Sequence, residues 1–188
     1  MEFFINPDIS LSDKLLEILY IFMGLICIHT GVKNIRDKTN KNRIGTGIFW
    51  GLLGVVLGFG NWIPDKINGA LIILLTLPAI LKKVGTGEKK PISQEKIQIF
   101  ADKIGVKLFL PALSMGIFAI IFALTDFGAL IGIGVGVIVG VILLMFYSRE
   151  NTLKVFFNEA ADTLTILGPL SLMPILLASL GAIFEKAG

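Results

Sequence analysis

The sequence predicts an all-α integral membrane protein: five transmembrane helices, a proline-broken segment that either re-enters the bilayer or crosses it a sixth time, and an N-terminus outside. Three observations predict it. Hydrophobic residues make up 54% of the 188 residues and charged ones only 16%, with a mean hydropathy of +0.83, which is too apolar for a soluble domain of this length. The charges crowd into short links between apolar runs of bilayer length. The basic residues favour alternate links, which is the signature of a membrane topology rather than of a nucleic-acid partner, despite a net charge of +3. The lone Cys27 and the lone His29 exclude an intrachain disulfide, a Cys-based metal site and a multi-histidine centre.

A span needs about 20 mostly apolar residues. Residues 15–35, 44–60, 64–81, 104–124 and 127–146 qualify, the third opening at Pro64, a favoured first helical position. The Thr125-Asp126 link is too short to recross the membrane, so the fourth and fifth spans form an antiparallel hairpin. The links after the first span (Lys33 to Arg43), the third (Lys82 to Lys107) and the fifth (Arg149, Lys154) hold fourteen of the 17 Lys and Arg, and the opposite side holds Lys14 and Lys66. Basic links stay in the cytoplasm. The N-terminus is therefore placed outside, and the first span is expected to remain as a signal anchor, because the acidic tail before it lacks the basic region of a cleavable signal peptide. Residues 84–103 form the one long polar stretch. Gly85-Thr86-Gly87 and Pro91 read as loop, and Ser93 can cap a short cytoplasmic interfacial helix carrying Ile97, Phe100, Ala101 and Ile104 on one face.

Gly128, Gly132, Gly136 and Gly140 of the fifth span lie in one small-xxx-small register, and Gly47, Gly51, Gly54 and Gly58 form a comparable run in the second. A face without side chains lets a neighbouring helix approach closely, so both runs are read as packing faces, toward each other or toward separate partners. Glu17 is placed where it reaches the interface, His29 as a hydrogen-bonded neutral group one turn from Lys33, and Cys27 as a small buried apolar residue.

Residues 151–162 are amphipathic, and the apolar run of residues 163–184 is interrupted by Gly168-Pro169 and Pro174. Proline removes a backbone donor and crowds the preceding turn, and backbone freed within a bilayer must face protein, water or a ligand. Before the break, Asn158, Asp162 and Thr165 share one helical face with Glu159 beside it, and Ser171 follows. Two readings stand. One is a sixth helix kinked by proline; the other is a broken or re-entrant segment of the sort that presents half-helix ends to a substrate or coupling ion. The second makes Glu159, Asp162, Thr165, Gly168, Pro169 and Ser171 the candidate substrate or ion contacts, with Asp162 the residue for a coupling cation, Na+ or H+.

The stretches RIGTGIFWGLLGVVLGFG (Arg43–Gly60) and ADTLTILGPLSLMPILLASLGAIFEKAG (Ala161–Gly188) resemble the N-terminal part of the bacterial DUF979 membrane proteins, the GPLS and GAIF stretches being the most specific. The resemblance covers the whole chain. It implies a subunit of a two-component 5-oxoproline transporter in the bacterial cytoplasmic membrane, working with a second small membrane subunit of the DUF969 family. It carries over no functional residues. Family members continue past GAIF with further spans, which implies that this chain corresponds to a truncated or split form. The alternative function, from another class, is a structural membrane subunit that packs through its glycine faces and binds no substrate. No HExxH motif, Ser–His–Asp set or phosphate loop is present, and neither an enzyme nor a cofactor is expected.

Overall fold

The computed structural model describes residues 2–87, 98, 102, 105, 109–147 and 152–168. All elements among them are helical: α1 (Glu2–Ile5), α2 (Leu11–Arg36), α3 (Arg43–Phe59) continued by a 3-10 turn (Gly60–Trp62), α4 (Asp65–Ile80), α5 (Leu110–Ala123), α6 (Ala129–Tyr147) and α7 (residues 153–168). Among the described residues three helices are long and apolar enough to cross a membrane: Leu11–Arg36, Arg43–Trp62 and Ala129–Tyr147. The side chains are sorted as lipid would sort them. Ile73, Ile120 and Ile142 are more than half exposed, whereas Thr30, Asn34, Asn40, Thr46, Ser114 and Thr165 are buried, the reverse of a water-soluble core.

One expected span is shorter than predicted. The third is helical over Asp65–Ile80, 16 residues, or about 24 Å at 1.5 Å per residue. It starts late because Pro64 takes the non-helical N-cap position, with ψ 140°. It stops because Lys82 turns left-handed at φ 54°, and the amides of Lys82 and Lys83 donate back to the carbonyls of Ala79 (3.0 Å) and Pro78 (2.8 Å). This is a Schellman ending with lysine where glycine is usual. The fourth is helical over Leu110–Ala123, with Pro111 in its first turn, where a missing amide costs nothing; its expected start at 104 lies outside the described residues.

The described residues divide into two compact units. In the first, which takes the residues up to Phe22 and those from Lys89 to Phe156, α5 and α6 form the expected antiparallel hairpin. Their contact is made by glycine. A Cβ on Gly136 would stand 2.5 Å from the Met115 Cα, one on Gly140 would press on Pro111, and one on Gly132 would collide with the Phe118 carbonyl. Ser114 Oγ donates to the carbonyls of Pro111 (2.7 Å) and Gly136 (3.0 Å), tying the helices across the seam. Gly128 does not belong to this face. It precedes α6 at φ 80° with open space around its missing Cβ, and serves the turn. Glu17 is buried at 4% exposure in this unit.

The second unit takes Met23 to Glu88 and the residues from Phe157. Here α3 meets the C-terminal half of α2 through glycines on both helices. A Cβ on Gly24 would lie 2.7 Å from the Gly54 carbonyl and the Gly58 Cα, and one on Gly31 would lie 2.8 Å from the Gly47 carbonyl and the Gly51 amide. The second-span and fifth-span glycine runs thus each meet a neighbouring helix of their own unit. Gly51 contributes its backbone, while the space over its own missing Cβ is open. Cys27 is buried with Phe49 and Trp50, as expected for an apolar residue.

After α2 the chain turns on Asp37, whose Oδ1 accepts the Thr39 hydroxyl (2.7 Å) and the Thr39 amide (2.9 Å). These bonds, the hydroxyl first, hold the carboxyl below its usual range. A depressed carboxylate stabilises the fold above its unfolded value of about 3.9, and that contribution disappears as pH falls through the folded value. In an NMR titration the Thr39 amide should therefore inflect below the ordinary aspartate range, and Thr39→Val should move the inflection up. An unmoved inflection would contradict this account of the turn.

Candidate functional site

Within the second unit, one face of α7 forms a polar seam. Asn158, Asp162, Thr165 and Gly168 recur every three or four residues, so they stack along one side of the helix. Each meets a defined partner on α2 or α3. Asn158 Oδ1 lies 3.3 Å from His29 Nε2, and the Asn158 carbonyl accepts a bond from Lys33 Nζ at 2.9 Å. The same ammonium pairs with Asp162 Oδ1 at 2.7 Å, both side chains being one-third exposed (34%). Thr165 Oγ1 donates to the Ala161 carbonyl (2.7 Å) and accepts from Asn34 Nδ2 (2.8 Å). Gly168 lies under the indole of Trp50, where a Cβ would stand 2.5 Å from the ring.

The α2 side of the seam follows from two i,i+4 pairs, His29/Lys33 and Thr30/Asn34, which place polar groups on adjacent stripes of an otherwise apolar helix. Asn34 Nδ2 also donates to the Thr30 carbonyl at 2.9 Å. Asn40 carries the network onward, donating to Asn34 Oδ1 (3.3 Å) and to the Gly85 carbonyl (2.9 Å), and the Gly85 amide donates to Thr46 Oγ1 (2.9 Å). The expected Gly85–Gly87 loop is thereby pinned to the start of α3. In a low-dielectric interior such a network is stable only when its members are satisfied. One donor breaks that pattern. Trp50 is 5% exposed, and its Nε1 has no hydrogen-bond partner; among the described residues the other buried side-chain atom without one is Asn68 Oδ1. A buried N–H left unpaired costs about 1–3 kcal/mol.

Of the residues expected to form the site, Asp162, Thr165 and Gly168 lie together on the seam. Glu159 does not: it is exposed, and its carbonyl accepts the Thr163 hydroxyl at 2.9 Å. Pro169, Ser171 and the rest of the segment to residue 184 lie outside the described residues, as do most of the expected interfacial helix and Lys186. Asp162 was expected to hold a coupling cation; the Lys33 ammonium occupies that position. His29 is hydrogen-bonded inside the bundle as expected. The sequence reading did not find Asn34 and Trp50, and counted Lys33 as a topology charge. The Thr30/Asn34 pair inside an apolar run was the available signal. No cluster of three or more His, Cys, Asp or Glu able to hold a metal occurs among the described residues.

No curated protein and no solved structure matches the chain. A family model described as protein of unknown function (DUF979) matches residues 17–188, nearly the full length, and the chain belongs to the DUF979 family.

Proposed function

We propose that this chain is a subunit of a secondary transporter for a small organic carboxylate, 5-oxoproline being the first candidate, in the bacterial cytoplasmic membrane with its N-terminus outside. It works with a second membrane subunit, for which the DUF969 family is the candidate by resemblance. The observation that carries the reading is the unpartnered, buried indole N–H of Trp50 beside Gly168, on a seam that also holds the Lys33–Asp162 pair. Ionisable groups within apolar helices are costly to keep, and they mark substrate or ion pathways more often than structural joints. A substrate carboxylate accepts the Trp50 N–H and offers Lys33 an alternative to Asp162, while Gly168 places no side chain against the indole. A coupling cation, Na+ or H+, takes the place that the Lys33 ammonium vacates on Asp162.

The structural-subunit alternative drew on glycine faces free to take a partner. Gly24, Gly31, Gly47, Gly54 and Gly58 of one unit, and Gly132, Gly136 and Gly140 of the other, lie against helices of the same chain, while the space over Gly51 is open.

Trp50→Phe keeps the ring and removes the donor. A hydrogen bond to a charged group is worth about 1.5–3 kcal/mol, so the KM for 5-oxoproline uptake should rise roughly tenfold to a hundredfold while thermal stability holds or improves. An unchanged KM would overturn the assignment of Trp50.

A further inference from the structure

A concave feature of the second unit shares none of the seam's residues. It is a pocket of about 560 Å³ formed where the first turns of α3 meet the end of α4. Its rim carries Lys41, Arg43 and Lys83, its walls include Ile48, Leu74 and Leu77, and no acidic side chain among the described residues lines it. The ion pair found among the described residues, Lys33–Asp162, involves none of these cations.

The placement of the charges runs against helix electrostatics. The N-terminus of a helix is its positive end and favours acidic neighbours. Yet α3 opens on Arg43 with no acidic residue in its first turn, and its N-cap Asn42 makes no side-chain capping bond. Lys83 is held at the same place by backbone geometry. The left-handed Lys82 turns the chain after α4, and the Lys83 backbone then packs on Gly45, where any side chain would collide with it. Three cations therefore converge at the positive end of a helix, directly above an apolar cleft. Repulsion of this sort is relieved by a bound anion, and the cleft specifies an anion with an apolar tail.

We propose that this pocket binds an anionic phospholipid, the headgroup phosphate on Lys41, Arg43 and Lys83 and an acyl chain along Ile48, Leu74 and Leu77. Basic pockets between membrane helices select anionic headgroups in this way. That the lipid comes from the cytoplasmic leaflet rests on the orientation read from the basic links; binding itself does not.

The test uses the full chain in nanodiscs of phosphatidylcholine alone or with 20 mol% phosphatidylglycerol, followed by detergent extraction and quantitation of co-purifying lipid. Phosphatidylglycerol should be retained in excess over phosphatidylcholine. Each near-surface cation contributes about fivefold to binding, so Arg43→Gln/Lys83→Gln should lower the retention roughly twenty-five-fold. Unfolding of that variant in phosphatidylcholine should match the parent, since neither side chain is paired among the described residues. Equal retention of both lipids, or full retention by the double variant, would overturn the proposal. Inorganic phosphate or glycerol 1-phosphate competing as well as the intact lipid would also overturn it, in favour of a site for a small soluble anion.

Discussion

Lys33→Met is expected to abolish carboxylate uptake and to lower thermal stability together. Removing the ammonium takes from the Asp162 carboxylate, which sits one-third exposed, its ion pair at 2.7 Å, and leaves the Asn158 carbonyl without the Lys33 bond. An exposed ion pair is worth about 0–1 kcal/mol and breaking a buried one costs about 3–5; the intermediate burial here points to about 1–3 kcal/mol. The double variant Lys33→Met/Asp162→Leu separates folding from function. It removes both charges, so stability should recover to near the parent, because an apolar pair of similar volume replaces a desolvated ion pair at little cost. Uptake should stay absent, because the carboxylate has lost its cationic contact. Uptake restored along with stability would mean that the pair only holds α7 to α2.

Gly54→Val should separate α2 from α3. A Cβ on Gly54 would lie 2.6 Å from the Gly24 carbonyl and 2.8 Å from the Ile28 amide. These atoms are backbone and cannot rotate away, so the helices must move apart, and every contact along the seam loosens with them. Overpacking typically costs about 1–3 kcal/mol, and this contact belongs at the upper end or beyond it. Because Lys33 and Asn34 ride on α2 and Trp50 on α3, the same change should weaken substrate binding. Gly51→Ala is the matched control. It lies one turn earlier on α3 with open space over its missing Cβ, and should stabilise the helix by about 0.5–1 kcal/mol through lower backbone entropy. Equal effects of the two substitutions on thermal unfolding in detergent would refute the close-approach account.

The hairpin of α5 and α6, the polar face of Asn158, Asp162 and Thr165, and the buried Cys27 were all legible in the sequence, because each depends on spacing within one stretch of chain. What could not be read was the partner of each face. The second-span glycines met Gly24 and Gly31, an interval of seven that falls outside the small-xxx-small pattern although it is two helical turns. Lys33 lies at the end of an apolar run, where hydropathy assigns it to the interface; its Nζ instead reaches α7, a contact 129 residues away in sequence. Trp50 has no local signature, since an indole in an apolar helix becomes informative only when the structure shows its N–H enclosed and unpaired. Gly128 shared the register of its neighbours by arithmetic alone. Its left-handed backbone belongs to the turn between α5 and α6, a distinction that spacing does not carry.

The most direct test of the central claim is uptake of labelled 5-oxoproline by cells expressing this chain, the proposed DUF969 partner, or both, with membrane insertion verified in each. The account predicts uptake only when both are present, and its loss in the stable Lys33→Met/Asp162→Leu variant. No uptake by the inserted pair, or uptake undiminished in that variant, would contradict it.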